Sequence, residues 1–511
     1  MARFKHIDTG PRFLPVVLEQ QLIPGTFEHA LHHLLDNEID LSRLDARYRN
    51  DDNGAPAYPP SLLLKVILLG YARGMVSSRA LARACETNVV FMALCGDHAP
   101  HFTTIASFIR HLGDEIAPLF AQVLWLCDRQ GLIGRELFAI DGVKLPSNAS
   151  KHKSGTRADF QKQLARLEQA AQKMLKQHRQ TDDDTDAAIA ARDEARAARK
   201  LARLQKDAQA LREWLAHHPD DKMGSRGRVL KSNRTDNDSA KMATSHGVIQ
   251  GYAGVATVDA KHQIVLHAEA YGTGSEQALL LPSIEAVGAF RQAHTVITAD
   301  AGYHNDANMV ALEAQHINAL IADTGMRQRD ERFATQARHK QKPDPLYDKS
   351  ADKKKPTHFK PSDFHYDPEQ GTCRCPANKP MARNGGEQTI RGYRAVMFKG
   401  MPEHCALCPQ RAQCLRHPER TQVRQVAFFK GRADKSETAS DRMRKRIDSP
   451  DGRALYSQRL GTVEPVFGNL RHNKGLRRFT LRGKKKVNTQ WNFMCMVQNI
   501  EKLAKSGYAA A

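Results

Sequence analysis

Three carboxylates in this sequence stand where chemistry on a phosphodiester could be done. Asp141 ends the apolar run "ELFAID" and is followed by "GVKLPSNASKHK". Asp300 ends "HTVITAD" and is followed by "AGYHND". Glu464 lies in "RLGTVEPVFGNLRHNKGLRRFTLRGKKK", where residues 469–486 carry Arg471, Lys474, Arg477, Arg478, Arg482 and Lys484 to Lys486 and no acid. Each acid alone has a plain reading: a strand-end Asp caps a turn, and a surface Glu makes an ion pair. Together they say more, because a carboxylate at the end of a buried strand is costly unless paired or bound to a cation. Three converging oxygen donors suit hard ions such as Mg²⁺ or Mn²⁺. Two such ions can activate an attacking oxygen and stabilise a leaving one. The neighbouring Lys and Arg would hold phosphates.

The elements around these residues must bring them together. Apolar runs at 136–141, 294–300 and 318–323 read as buried strands, and 246–272 reads as two hairpin strands flanking "AKH". Residues 275–291 and "HNDANMVALEAQ" read as helices between them, so the core is expected to be α/β. Near the C-terminus, Val463, Val466, Phe467 and Leu470 recur at i, i+3, i+4, i+7, the buried stripe of a helix. Glu464 stands one step off that stripe, about 100° round the helix.

Residues 60–127 form a series of short helices. Pro60 opens "PSLLLKVILLGYARG", Ser77 or Ser78 can cap "SSRALARAC", Asn88 can cap "NVVFMALCG", and Thr103 or Thr104 can cap "TTIASFIRHL". Such tight helices have the texture of a helix-turn-helix domain, or of a plain bundle. Arg79, Arg83 and Arg110 with His111 favour DNA. At 156–217, Phe160, Leu164, Leu167, Ala171 and Met174, then Leu201, Leu204, Ala208, Leu211 and Leu215, keep heptad-like spacing around the polar "QTDDDTD". That predicts a helical hairpin. From Met326 to about Thr372 the chain turns polar and charged and reads as loop.

Five of the nine cysteines fall between 373 and 414. Cys405, Cys408 and Cys414 are spaced C-x2-C-x5-C, and Cys375 completes a set of four thiolates, with Cys373 as a substitute. This suits one closed, structural Zn²⁺ site. His404 and His417 read as solvent-exposed, and Cys85, Cys95, Cys127 and Cys495 as core.

The chain has 511 residues, a length for roughly three or four units. It carries 77 Lys+Arg against 56 Asp+Glu, a net charge of +21. That excess points to a polyanionic partner. No apolar run approaches the ~18 residues of a membrane span, and the opening "MARFKHIDTGPRF" lacks the apolar stretch of a signal peptide. A cytoplasmic, nucleic-acid-binding protein without a membrane partner is expected.

Several stretches together resemble the DDE transposases of bacterial insertion sequences. They are "PAYPPSLLLKVILLGYARGMVSSRALARACETNVVFMAL", "FAIDGVKLPSNASK", "ITADAGYHN", "CALCPQRAQC" and "YSQRLGTVEPVFGNLRHNKGLRRFTLRG". The chain looks like the subgroup numbered eleven-eighty-two, related to the group with a Tyr-Arg-Glu-Lys signature. Here Tyr456, Arg459, Glu464 and Arg471 stand at spacings of two, four and six, with one more residue before the Glu than that signature has and Arg for its Lys.

The resemblance implies an RNase H-like catalytic core with Asp141, Asp300 and Glu464 binding two Mg²⁺ or Mn²⁺ ions. It implies an N-terminal all-helical domain, 1–130, that reads the element's terminal inverted repeats. The core is expected at 131–325, interrupted by the 156–217 hairpin. A basic, zinc-bearing insertion spans 326–450, and 451–511 returns the Glu. Arg459, Arg471, Lys474, Arg477, Arg478, Lys144, Arg79 and Arg83 are the expected DNA contacts. Double-stranded DNA (element ends and target) and a second copy of the chain are the implied partners, at the nucleoid. A catalytically silent zinc-containing DNA-binding regulator, or a nuclease of the same fold that never joins strands, are the alternatives.

Overall fold

The computed structural model describes residues 15–48, 56–180, 187–224, 227–244, 247–333, 358–390, 392–432 and 436–509. The opening "MARFKHIDTGPRF", the turn of the 156–217 hairpin and the charged "DKSADKKKP" lie outside these residues. The chain divides into two compact units, Met1–Thr324 with Met443–Ala511, and Gly325–Arg442.

The first unit begins with helices α1 (Phe27–His33), α2 (Pro60–Ala72), α3 (Ser78–Thr87), α4 (Val89–Cys95), α5 (Phe102–Leu112) and α6 (Ile116–Arg129). Asn88 caps α4 as expected, its Oδ1 accepting from the Val90 N–H (3.1 Å). The cap of α5 is not Thr103 or Thr104 but His101, whose Nδ1 accepts from the Thr103 N–H. The two threonines already lie inside the first turn.

The mixed sheet follows. Its strands are β1 (Leu137–Pro146), β2 (Ala240–Thr244), β3 (Gly247–Asp259), β4 (Val265–Tyr271), β5 (Val296–Ala299) and β6 (Ala319–Ile321). The order is β2–β3–β1–β5–β6, with β4 also pairing β3. β1 runs antiparallel to β3 and parallel to β5, and β5 runs parallel to β6. Between β1 and β2 lie α7 (Arg157–Gln180) and α8 (Ala187–His217), which pack on each other. Phe160, Leu211 and Leu215 are their small core, with the Phe160 ring edge-on to Trp214. The helix expected over 275–291 is only α9 (Leu280–Glu285), preceded by a 3-10 turn. Pro282 fits only a first turn, and Gly288 is a poor continuation. α10 (Asp306–Ala314) links β5 to β6.

Two C-terminal helices complete this unit, α11 (Pro450–Gly468) and α12 (Lys484–Lys505). α12 is buried on nearly every side and packs on α1, α2, α6 and β4. The Trp491 Nε1–H donates to the Val255 carbonyl (2.9 Å). Asn499 pairs with both backbone groups of Val265, at 2.8 Å each way. On the other side Phe493 meets the Tyr71 ring of α2 edge-on at 5.8 Å. The N-terminal helices therefore share one core with the sheet, and the boundary expected near 130 is not one between compact bodies. A fragment ending at residue 130 is expected to expose the apolar face of α2 and to show no cooperative thermal transition. A sharp transition matching the full chain's would refute that dependence.

The second unit is β-rich, which the loop reading of 326–372 and the cysteine spacing did not suggest. Strands β7 (His365–Asp367), β8 (Thr372–Arg374), β9 (Pro380–Arg383), β10 (Gln388–Ile390), β11 (Tyr393–Lys399) and β12 (Gln425–Arg432) are antiparallel, in the order β10–β11–β9–β8–β7 with β12 on β11. Phe364, Cys373, Met381, Val396, Phe398 and Val426 form a buried cluster there. Among the described residues no helix is long and apolar enough to cross a membrane.

Candidate active site

β1 and β5 are parallel with Ile140 opposite Ala299, the last pair of that ladder. Asp141 and Asp300 are each the next residue, so they stand side by side where the β1–β5 ladder ends. Asp141 does not end its strand, as the sequence pattern suggested. β1 runs on to Pro146 against β3, with Asp141 opposite Ala256. The apolar run stops at Ile140 because one partner strand stops there, not because β1 does. Asp300 also serves as a cap, its Oδ1 accepting from the Gly302 N–H (2.9 Å).

α11 packs across β1, β3 and β5. Val463, Val466, Phe467 and Leu470 are buried, and Glu464 beside them is exposed, as the helical period requires. Asp141 feels the other two acids. Burial pushes the Asp141 carboxyl up to about 6, and the charges of Asp300 and Glu464 add to the rise. Arg459 and the Gly142 N–H oppose it. The Arg459 Nη2 lies 2.8 Å from the Asp141 Oδ2, while its buried Nε has no partner.

A carboxyl raised above its ordinary 3.8 is less favourable ionised in the fold than unfolded. Its neutral form is fully accommodated below about pH 4, and stability falls as pH rises through about 6. Asp141→Asn is therefore expected to stabilise the chain at pH 8 in chelator, by on the order of 1–3 kcal/mol. The Asn oxygen can still accept from Arg459. The gain should vanish below about pH 4. Thermal melts at both pH values check this, and an unchanged or lower Tm at pH 8 would contradict it.

The basic residues divide. Arg471, Arg477 and Arg478 are exposed. Their stretch is pinned along the far end of β1. The Phe479 N–H donates to the Pro146 carbonyl (2.9 Å), and Arg478 donates to that of Ser147 (3.1 Å). Pro146 is five residues from Asp141, roughly 17 Å along a strand. Lys474 is different. It is 1% exposed, and its Nζ pairs with Glu501 of α12. That ion pair holds it inside the fold, away from solvent, which is at odds with its assignment as a DNA contact. Arg459 is likewise buried, on Asp141. Lys144 lies 3.5 Å from Glu276. Arg79, Arg83 and Arg110 are exposed, with Arg79 over the Phe102 ring.

Two residues of this cleft gave no signal in the sequence, Glu276 and Tyr303. Burial raises the Glu276 carboxyl, and Asp300 and Asp141 add to it. Tyr303 is fully buried, its hydroxyl without a partner. Glu276 falls in the stretch read as a helix over 275–291, and Tyr303 in "ITADAGYHN", with no chemical role given to either.

In the second unit, Cys375, Cys405, Cys408 and Cys414 line one cavity of about 40 Å³. Burial raises the Cys414 thiol, and Cys405, Cys375 and Cys408 add to the rise against Arg424. Cys373 points the other way, into the core against Met381. Strand alternation would put both on one face, but β8 ends at Arg374, so Cys375 stands in the turn to β9, beside the other thiols. His404 lines the same cavity and is half-buried rather than exposed, while His417 is exposed. Cys85, Cys95, Cys127 and Cys495 are buried as expected. Among the described residues, no three His, Cys, Asp or Glu side chains are placed closely enough to share a metal ion. Carboxylates and thiols converge without closing.

Residues 374–504 match the family model described as transposase DDE domain. Residues 16–111 match a second, described as transposase domain (DUF772). The first match contains Glu464 and the four cavity cysteines and leaves Asp141 and Asp300 outside it. No curated protein matches the chain. The two matches, one over the N-terminal helices and one running from the second unit into the C-terminal helices of the first, support a DDE transposase of an insertion sequence.

Proposed function

We propose that this chain binds the terminal inverted repeats of its element, cleaves the DNA there and joins the freed 3′-hydroxyl to target DNA. The observation that carries the reading is the register-locked pair Asp141 and Asp300 at one sheet end, with Glu464 within electrostatic reach. An antiparallel β1–β3–β4 set extended by parallel β5 and β6 supports an RNase H-like core. The donor chemistry fits Mg²⁺ or Mn²⁺: three carboxylates and no soft ligand. When bound, two such ions would supply charge neutralisation at the attacking and leaving oxygens. Asp141, Asp300 and Glu464 would hold them.

The chain's own part is to position and neutralise. Arg471, Arg477 and Arg478, anchored beside β1, would hold phosphates near the acids. Arg459 keeps Asp141 oriented through its 2.8 Å pair. No side-chain nucleophile is required, so no covalent protein–DNA step is invoked. The exposed Arg79, Arg83 and Arg110 would contact the repeats. Cys375, Cys405, Cys408 and Cys414 would hold one structural Zn²⁺. A dimer on paired ends and action at the nucleoid follow from this reading.

Nicking of DNA carrying the element's ends, with Mg²⁺ or Mn²⁺ and without, tests it. Cleavage followed by joining supports a transposase. Cleavage alone would indicate a nuclease, and binding without cleavage a regulator.

A further inference from the structure

Glu276 enters the cleft from the segment between β4 and α9. Two glycines show how closely it approaches. A Cβ on Gly302 would lie 2.8 Å from the Glu276 Oε2 and 3.0 Å from the Asp300 Oδ1, so those two oxygens flank one point. A Cβ on Gly142, next to Asp141, would lie 3.4 Å from the Glu276 Oε1 and 3.5 Å from the Tyr303 hydroxyl. The chain leaves out two side chains where these oxygen groups meet.

Such crowding of acids demands positive charge. Among the described residues the cleft sets Arg459 on Asp141 and Lys144 on Glu276. Asp141, Asp300, Glu276 and Glu464 then outnumber the paired cations by two charges, the charge of one divalent ion. The second observation is Tyr303. It is 0% exposed, aimed at the same space, and its hydroxyl has no acceptor. A buried hydroxyl is costly when unpaired, so this O–H fits an oxygen that the chain does not itself supply.

We propose that Glu276 is a fourth carboxylate of the divalent-cation site, opposite Asp300, with the Tyr303 hydroxyl donating to a phosphate or water oxygen held there. This rests on the proposed function. Lys144 then balances Glu276 while the cation is away, and competes with its binding. The opposing view makes Glu276 and Lys144 a structural ion pair.

Mn²⁺ binding to the full-length chain without DNA, followed by titration calorimetry and by the Mn²⁺ EPR signal, separates the two. Glu276→Gln is expected to weaken Mn²⁺ at least about 10-fold, with an unchanged circular dichroism spectrum. Lys144→Gln, which removes a competing charge, is expected to tighten it severalfold. A structural pair predicts no change in either, and that result overturns the proposal. Should Glu276→Gln fail to fold, Lys144→Gln decides: tighter Mn²⁺ supports the assignment and unchanged Mn²⁺ overturns it. Asp141→Asn tells the two levels apart. If it loses Mn²⁺ while Glu276→Gln binds normally, only this inference falls. If the unsubstituted chain binds no Mn²⁺, the proposed site falls with it.

Discussion

Glu464→Gln is expected to abolish Mg²⁺-dependent cleavage of the element's ends, while folding and DNA binding stay near those of the unsubstituted chain. The side chain is exposed at the edge of α11, and the buried stripe beside it does not include it. An amide of the same shape therefore leaves Val463, Val466, Phe467 and Leu470 packed as before. What it removes is an anionic oxygen beside Asp141 and Asp300, and a neutral amide is a poor ligand for Mg²⁺. The exposed Arg471, Arg477 and Arg478 still meet phosphates, so affinity for DNA should hold or rise. The rate should drop roughly 10³-fold or more, the scale of losing one member of a catalytic unit. Asp300→Asn should match it, and the double variant should lose little further, because such losses do not add. If Glu464 made only a surface ion pair, the change would be under about 1 kcal/mol. Near-normal cleavage by Glu464→Gln, measured with folded protein, would remove this residue from the site.

Cys408→Ala is expected to cost the second unit its fold and leave the first unit standing. The buried cluster there is six side chains, between strands of three to eight residues. A core of that size is marginal without a staple. Four thiolates on one Zn²⁺ would supply it, since structural zinc contributes about 10–16 kcal/mol of apparent binding free energy in zinc-finger peptides. Cys408 lines the cavity and is not part of the buried cluster, so its loss as a packing group is small. Elemental analysis should find about one zinc per chain, and none in the variant. Limited proteolysis should open 325–442 in Cys408→Ala and in chelator-treated protein alike, while the other unit's melt persists. A zinc-free preparation made without chelator that still resists the protease over 325–442 would exclude the site.

Much of this arrangement is legible in the sequence, for a local reason. Burial of one face repeats along a strand or helix, so the runs ending at Ile140 and Ala299 and the stripe from Val463 to Leu470 mark themselves. The acids next to them stand out because they interrupt that pattern. Heptad spacing likewise marks the helices of 156–217. The partner of a polar residue, by contrast, is set by contacts distant in sequence. Lys474 reads like its basic neighbours, yet Glu501, 27 residues on, takes it into the core. Glu276 opens a stretch that reads as plain helix, and only the return of β5 beside β1 makes it a neighbour of Asp300. The end of pairing at Ile140 comes from the length of β5, not from β1's own residues. The helices before residue 130 read as self-sufficient, but α12, buried on nearly every side by apolar and amide side chains alike, joins them to the sheet. The sequence by itself determined which residues are buried and which acids break the burial. Tertiary structure alone decided which charges meet, because a Coulomb partner depends on distance in space and leaves no periodic trace along the chain.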